Sequence, residues 1–216
     1  MAMIVQATHQ VLHKSKYIIL LVIRILMTSG CAYTTAEKVK AEVGAPEPEI
    51  NMFSHCSSYG CQVVQQVSFD LNEWAQIEAI FDIPPATAME ERERLPMAIG
   101  LMEKFIGPKT GTSDDIAKSW LFTFAPKGQL DCIDESINTT TYLQMLDKAG
   151  HVRFHDVGSI ALRGNRFDLM LLHNTATLID RESVVSYAID SWFRANGIAP
   201  DVVLLDELIE GWKPSS

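Results

Sequence analysis

Three residues of this 216-residue chain have the types and spacing for covalent acyl chemistry: Cys132, His173 and Asp190. Cys132 ends the stretch Gly128-Gln129-Leu130-Asp131-Cys132, where a glycine-containing loop passes into a helical pattern. A thiol at a helix N-terminus meets unpaired amides and the positive end of the macrodipole, and both favour the nucleophilic thiolate. Asp131, Asp134 and Glu135 flank it and push the other way, because nearby negative charge raises a thiol pKa. His173 opens a β-rich run, and Asp190 ends the next one. The four residues Asp180-Arg181-Glu182-Ser183 join these runs as a hairpin, whose pairing returns Asp190 to the side of His173. Nucleophile, general base and base-orienting carboxylate, in that order, are the parts of a thiol hydrolase or acyltransferase acting on amide bonds. His151 and His155 compete as bases. They lie just after the nucleophile helix with Asp156 adjacent, but neighbouring strand residues point to opposite faces, so His173 is the base of choice.

The elements that must position these groups can be read from periodicity. Residues 61–69 form a β-rich run, and Asp70 followed by Glu73 has the spacing of a capping box. Leu71, Trp74, Ile77 and Phe81 then follow at helical spacing until Pro84-Pro85. Residues 86–106 predict a second helical stretch, kinked or divided at Pro96, with Glu90 to Arg94 as a solvated face. Residues 107–112 predict a loop that lacks the spacing of a phosphate-binding loop. A helix runs over 132–149 and stops at Gly150, with apolar residues around the whole wheel, as in a helix covered on several sides. Five β segments follow, at 152–157, 159–162, 167–172, 174–179 and 184–189. Helices first and adjacent strands afterwards is an α+β order with an antiparallel sheet.

From Gly128 to Phe193 the chain resembles the transglutaminase-like cysteine proteases of the papain-like superfamily. In that core a cysteine starts a central helix, a histidine stands on one strand and an aspartate on the next. The resemblance implies helices, with the nucleophile on the central one, packed on an antiparallel sheet. It also implies Cys132 as nucleophile, His173 as base and acid, and Asp190 as orienting carboxylate. Gln129 is the expected oxyanion donor by analogy, ahead of Trp120. The chain departs from the family in having Asn174 and Thr175 after the histidine, where an aromatic residue is frequent. Such chemistry needs no cofactor and no metal, and its partner is a protein or peptide amide.

The amino terminus reads as an export signal. Lys14 and Lys16 precede an apolar run of about 13 residues, too short for the ~20 that span a bilayer. Thr28-Ser29-Gly30-Cys31 resembles a bacterial lipoprotein box, which implies removal of residues 1–30 and a lipid on Cys31, hence a membrane contact through the lipid anchor at the cell envelope. Residues 31–50 predict a flexible tether, so that the globular domain spans 51–216. In an oxidising compartment Cys56 and Cys61, five apart in a Ser- and Gly-containing loop, are expected as a disulfide rather than as metal ligands with His55. The formal charge of −9, or −12 without Lys14, Lys16 and Arg24, offers no cationic surplus for a phosphate backbone and excludes nucleic acid as a partner. The alternative to an enzyme is a non-catalytic lipoprotein that uses the same fold as a binding or assembly module.

Overall fold

The computed structural model describes residues 36–119, 128–164 and 172–215. The expected signal segment, Cys31, Trp120 and most of the run 167–172 lie outside them. Along the described chain come α1 (Ala36–Val43), β1 (Phe53–Ser57), β2 (Val63–Val67), α2 (Leu71–Glu78) and α3 (Ala88–Thr110). Then follow α4 (Cys132–Lys148), β3 (His155–Val157), β4 (Ala161–Arg163), β5 (His173–Asp180), β6 (Ser186–Asp190), β7 (Asp201–Leu204) and α5 (Leu205–Ile209). The fold is α+β, and every strand pair is antiparallel.

Strand β5 is the hinge of the larger sheet. β6 lies on one side of it, followed by β7, while β3 and β4 share its other side. β3 pairs with the Asp180 end and β4 with the His173 end. The hairpin turn is closed by Asp180, whose carboxylate accepts from the amides of Glu182 and Ser183. This leaves Ile179 opposite Ser186 and Ala176 opposite Ile189.

Helix α4 divides by composition. Its second half carries Tyr142, Leu143, Met145 and Leu146 into the main core with Leu95, Ile99 and Met102 of α3 and Leu178 of β5. Its first half, Asp134 to Thr141, is polar yet equally buried, so each group needs a partner. Asn138 exchanges hydrogen bonds with the Cys56 backbone of β1, and Thr139 meets Ser191 at the end of β6. The helix is covered on several sides, as its wheel predicts.

Several elements differ from the sequence reading. α1 replaces the first part of the expected tether: Ala36 and Val39 bury themselves against Ile137, Ile160 and the Cys56–Cys61 disulfide. The short apolar stripe Ala36–Val39 is invisible among its charged neighbours. β1 takes His55 and Cys56 out of the expected loop. α3 runs through both Pro96 and Pro108 as far as Thr110, where Gly111 caps it at φ 78°, so it is not divided and most of 107–112 is helix. Glu91, expected on a solvated face, is fully buried and accepts from the amides of Arg153 and Phe154 and from the His155 ring. No period-based reading can see such a long-range partner. No helix among the described residues is long and apolar enough to cross a membrane.

Candidate active site

Cys132 is the first residue of α4. Asp131 caps the helix, accepting from the amides of Ile133 and Asp134, and Asp134 reciprocates on the Asp131 amide. Gly128 sets the entry to this turn. Its φ of 89° lies in the left-handed region, and an added Cβ would collide with the Gly111 carbonyl oxygen.

A second clamp comes from the disulfide. Cys56 and Cys61 are bonded, and Cys132 is a free thiol. Ser58, Tyr59, Gly60 and Cys61 all have positive φ, which turns successive amides inward. Those of Tyr59 and Cys61 reach the two carboxylate oxygens of Asp134 at 2.8 and 2.6 Å, a backbone nest for an anion. The disulfide loop thus holds the start of α4.

His173 and Asp190 meet at the end of the β5–β6 pair. Nε2 of His173 lies 2.5 Å from Oδ2 of Asp190, and both side chains are buried. The imidazole packs against Trp192 and Phe193, with ring centroids 4.8 and 5.3 Å away. A carboxylate only accepts, so Nε2 carries a proton, and in the neutral ring Nδ1 is the nitrogen with the lone pair. Nδ1 has no hydrogen-bond partner. Cys132 stands at this same end of β5, because the next residue, Asn174, points its backbone amide and its carboxamide nitrogen at the sulfur, the latter at 3.8 Å. No hydrogen bond joins Cys132 to His173 among the described contacts.

The Cys132 side chain is half-buried. Burial, first of all, and then the charge of Asp131 push its pKa up to about 12, against smaller help from Asn174. The dipole of α4 does not prevail, since Asp131 and Asp134 occupy the amides that would have faced a thiolate. Arg163 of β4, the register partner of His173, brings a cation to this end of the sheet: its guanidinium donates to the Leu208 and Trp212 carbonyls, and the Asp190 charge favours its protonated form. The only sequence signal for it is an arginine directly after a short β-rich run.

The other expected site residues fall elsewhere. The Gln129 carboxamide, the expected oxyanion donor, is tied at both ends to the 114–116 loop, donating to the Asp114 carbonyl and accepting from the Ile116 amide. It clamps a loop rather than serving the thiol. His155 pairs across from Asp180 at the far end of β5, about 23 Å along the strand from His173. Its Nδ1 is held by Glu91 and its Nε2 by Arg92. His151 stacks on Phe81. His55 is buried with Nε2 on Asn138, and burial lowers its pKa to about 4. No group of metal-ligating side chains forms among the described residues.

Comparison of the chain with protein-family models, with curated proteins and with solved structures finds no match.

Proposed function

We propose that the chain is an exported thiol hydrolase or acyltransferase of the transglutaminase-like kind, within the papain-like superfamily, acting on protein or peptide amides. The observation that carries this reading is the buried His173–Asp190 pair with Nδ1 left without a partner, at the strand end where Asn174 holds the Cys132 sulfur. With the thiol pKa pushed up by burial and by Asp131, His173 acts as a general base during attack rather than as half of a standing ion pair. Nδ1 takes the Sγ proton as sulfur bonds to the carbonyl carbon, and Asp190 steadies the imidazolium. The same proton then passes to the leaving amine. The thioester on Cys132 is resolved by water to an acid or by an amine to a new amide.

Export is supported by the Cys56–Cys61 disulfide, a bond that persists in oxidising compartments. Attachment of the chain to a membrane through a lipid on Cys31 belongs to the same proposal, and a mature protein that still begins at Met1 by mass spectrometry would refute it.

The non-catalytic binding module is the second reading, favoured by a thiol that is protonated and makes no hydrogen bond to His173. Acylation of Cys132 by p-nitrophenyl acetate separates the two. His173→Ala should slow acylation by about 100-fold or more, and Asp190→Ala by less, since it removes orientation rather than the proton acceptor. Equal rates in wild type and folded His173→Ala would make Cys132 a bystander thiol and leave the binding module standing.

A further inference from the structure

Asn174 takes a place that the sequence assigns to Gln129. Its carboxamide is oriented by a fixed partner: Oδ1 accepts from the Ala36 backbone amide at 3.1 Å, in a buried contact. Ala36 begins α1, and the first amides of a helix have no acceptor within it. A backbone amide can only donate, so the oxygen of Asn174 must face α1 and its NH2 must face the opposite way. That way lies Cys132 Sγ, at 3.8 Å from Nδ2. Asn174 is itself buried, which removes competing water.

Distance and chemistry agree on a role. When Sγ bonds to a carbonyl carbon, the new oxyanion sits roughly one bond angle away from sulfur, and a donor 3.8 Å from sulfur can reach it at ordinary hydrogen-bond length. Alternation along β5 turns the Asn174 and His173 side chains to opposite faces of the strand, and the sulfur is met on the Asn174 side. Gln129 cannot compete, because its nitrogen is given to Asp114.

The geometry points to Asn174 Nδ2 as the side-chain oxyanion donor of the Cys132 reaction, aimed by α1 through the Ala36 amide. The step balances simply: the Sγ–C bond forms, the carbonyl π pair moves onto oxygen and is met by the Asn174 N–H, and the thiol proton goes to His173. Return of that electron pair expels the leaving group. Asn174 is therefore a catalytic residue, and Ala36 a positioning residue acting through it. The assignment rests on Cys132 and His173 being nucleophile and base.

Two electrophiles separate oxyanion stabilisation from mere support of the thiol. p-Nitrophenyl acetate passes through a tetrahedral oxyanion, whereas iodoacetamide alkylates sulfur by displacing iodide and forms none. The readout is the ratio of acylation to alkylation rates on the full chain, which cancels changes in thiolate population. Asn174→Ala should lower this ratio by about 100-fold. Asn174→Asp, nearly isosteric but without N–H donors, should lower it comparably, and covers the case in which alanine does not fold. Ala36→Pro, tolerated in a first helical turn, deletes only the orienting N–H and should lower the ratio by a smaller factor. A ratio within threefold of wild type in the folded Asn174 variants overturns the proposal. If His173→Ala leaves both rates unchanged, the thiol-enzyme reading itself fails; if His173→Ala slows acylation while the Asn174 variants do not, only the oxyanion assignment does.

Discussion

At the scale of the residue, the site is decided by how a single sulfur is surrounded. A cysteine at the start of a helix is ordinarily thiolate-prone, yet burial and the Asp131 carboxylate leave Cys132 protonated, with a pKa of about 12. Alkylation proceeds through the thiolate, whose fraction grows tenfold per pH unit below that value. The iodoacetamide rate on Cys132 should therefore rise about tenfold per unit from pH 6 to 9, with no plateau. A plateau beginning below pH 8 would show that His173 already holds an ion pair with the thiolate. The histidine and aspartate contrast with the cysteine. Their pairing follows from the hairpin alone, which is why it could be read before any coordinates.

At the scale of the element, helix α4 is held by its entry loop rather than by its own helical propensity. Its first half, rich in Asp, Ser, Asn and Thr, is a poor helix former, and the turn before it depends on Gly128. Gly128→Ala would place a Cβ against the Gly111 carbonyl at a φ that alanine tolerates badly. The substitution should cost about 2 kcal/mol, lowering Tm by about 4–8 °C in a chain of this size. Tm unchanged within 1 °C would mean that the loop has another conformation available. The disulfide loop and the 114–116 loop brace the same helix start from two sides, through Asp134 and through Asp115, which accepts from the Leu130 amide at 2.6 Å. Neither brace has a sequence signature, since each joins a loop to a residue many positions away.

At the scale of the whole molecule, the unusual feature is acid sealed inside an acidic protein. Glu103, Asp115, Asp131, Asp134 and Glu135 lie together at the start of α4, and burial raises the pKa of each; Glu103 and Asp115 reach about 7. Among the described residues, Glu103 Oε1 and, further along α4, Tyr142 Oη have no hydrogen-bond partner. A carboxyl whose folded pKa is raised keeps a proton that the unfolded chain has lost. Its contribution is full below the unfolded value near 4 and disappears as pH rises through about 7. His55 acts oppositely, but only between about 4 and its unfolded value of 6.5. Between pH 6.5 and 8 the carboxyls alone remain among these groups, so Tm should fall by about 4 °C or more over that interval at constant ionic strength. Glu103→Gln should flatten the decline. A Tm equal or higher at pH 8 would show that these carboxyls are ionised in the native state.

Local rules in the sequence determined a good deal: the capping box at Asp70, the start of α4 at Cys132, the hairpin at Asp180, the antiparallel α+β order and the closeness of Cys56 to Cys61. Each depends on residues a few positions apart, where helical period, strand alternation and turn chemistry act directly. Tertiary structure alone decided which groups face the sulfur. Ala36 and Asn174 are 138 positions apart, Glu91 and His155 are 64, and Asp134 and Cys61 are 73. Partners at such separations are chosen by packing, and packing also sets the desolvation that fixes the charge of Cys132. The ingredients of the site could thus be read along the chain. Their surroundings exist only once α1, the disulfide loop and β5 close around the first turn of one helix.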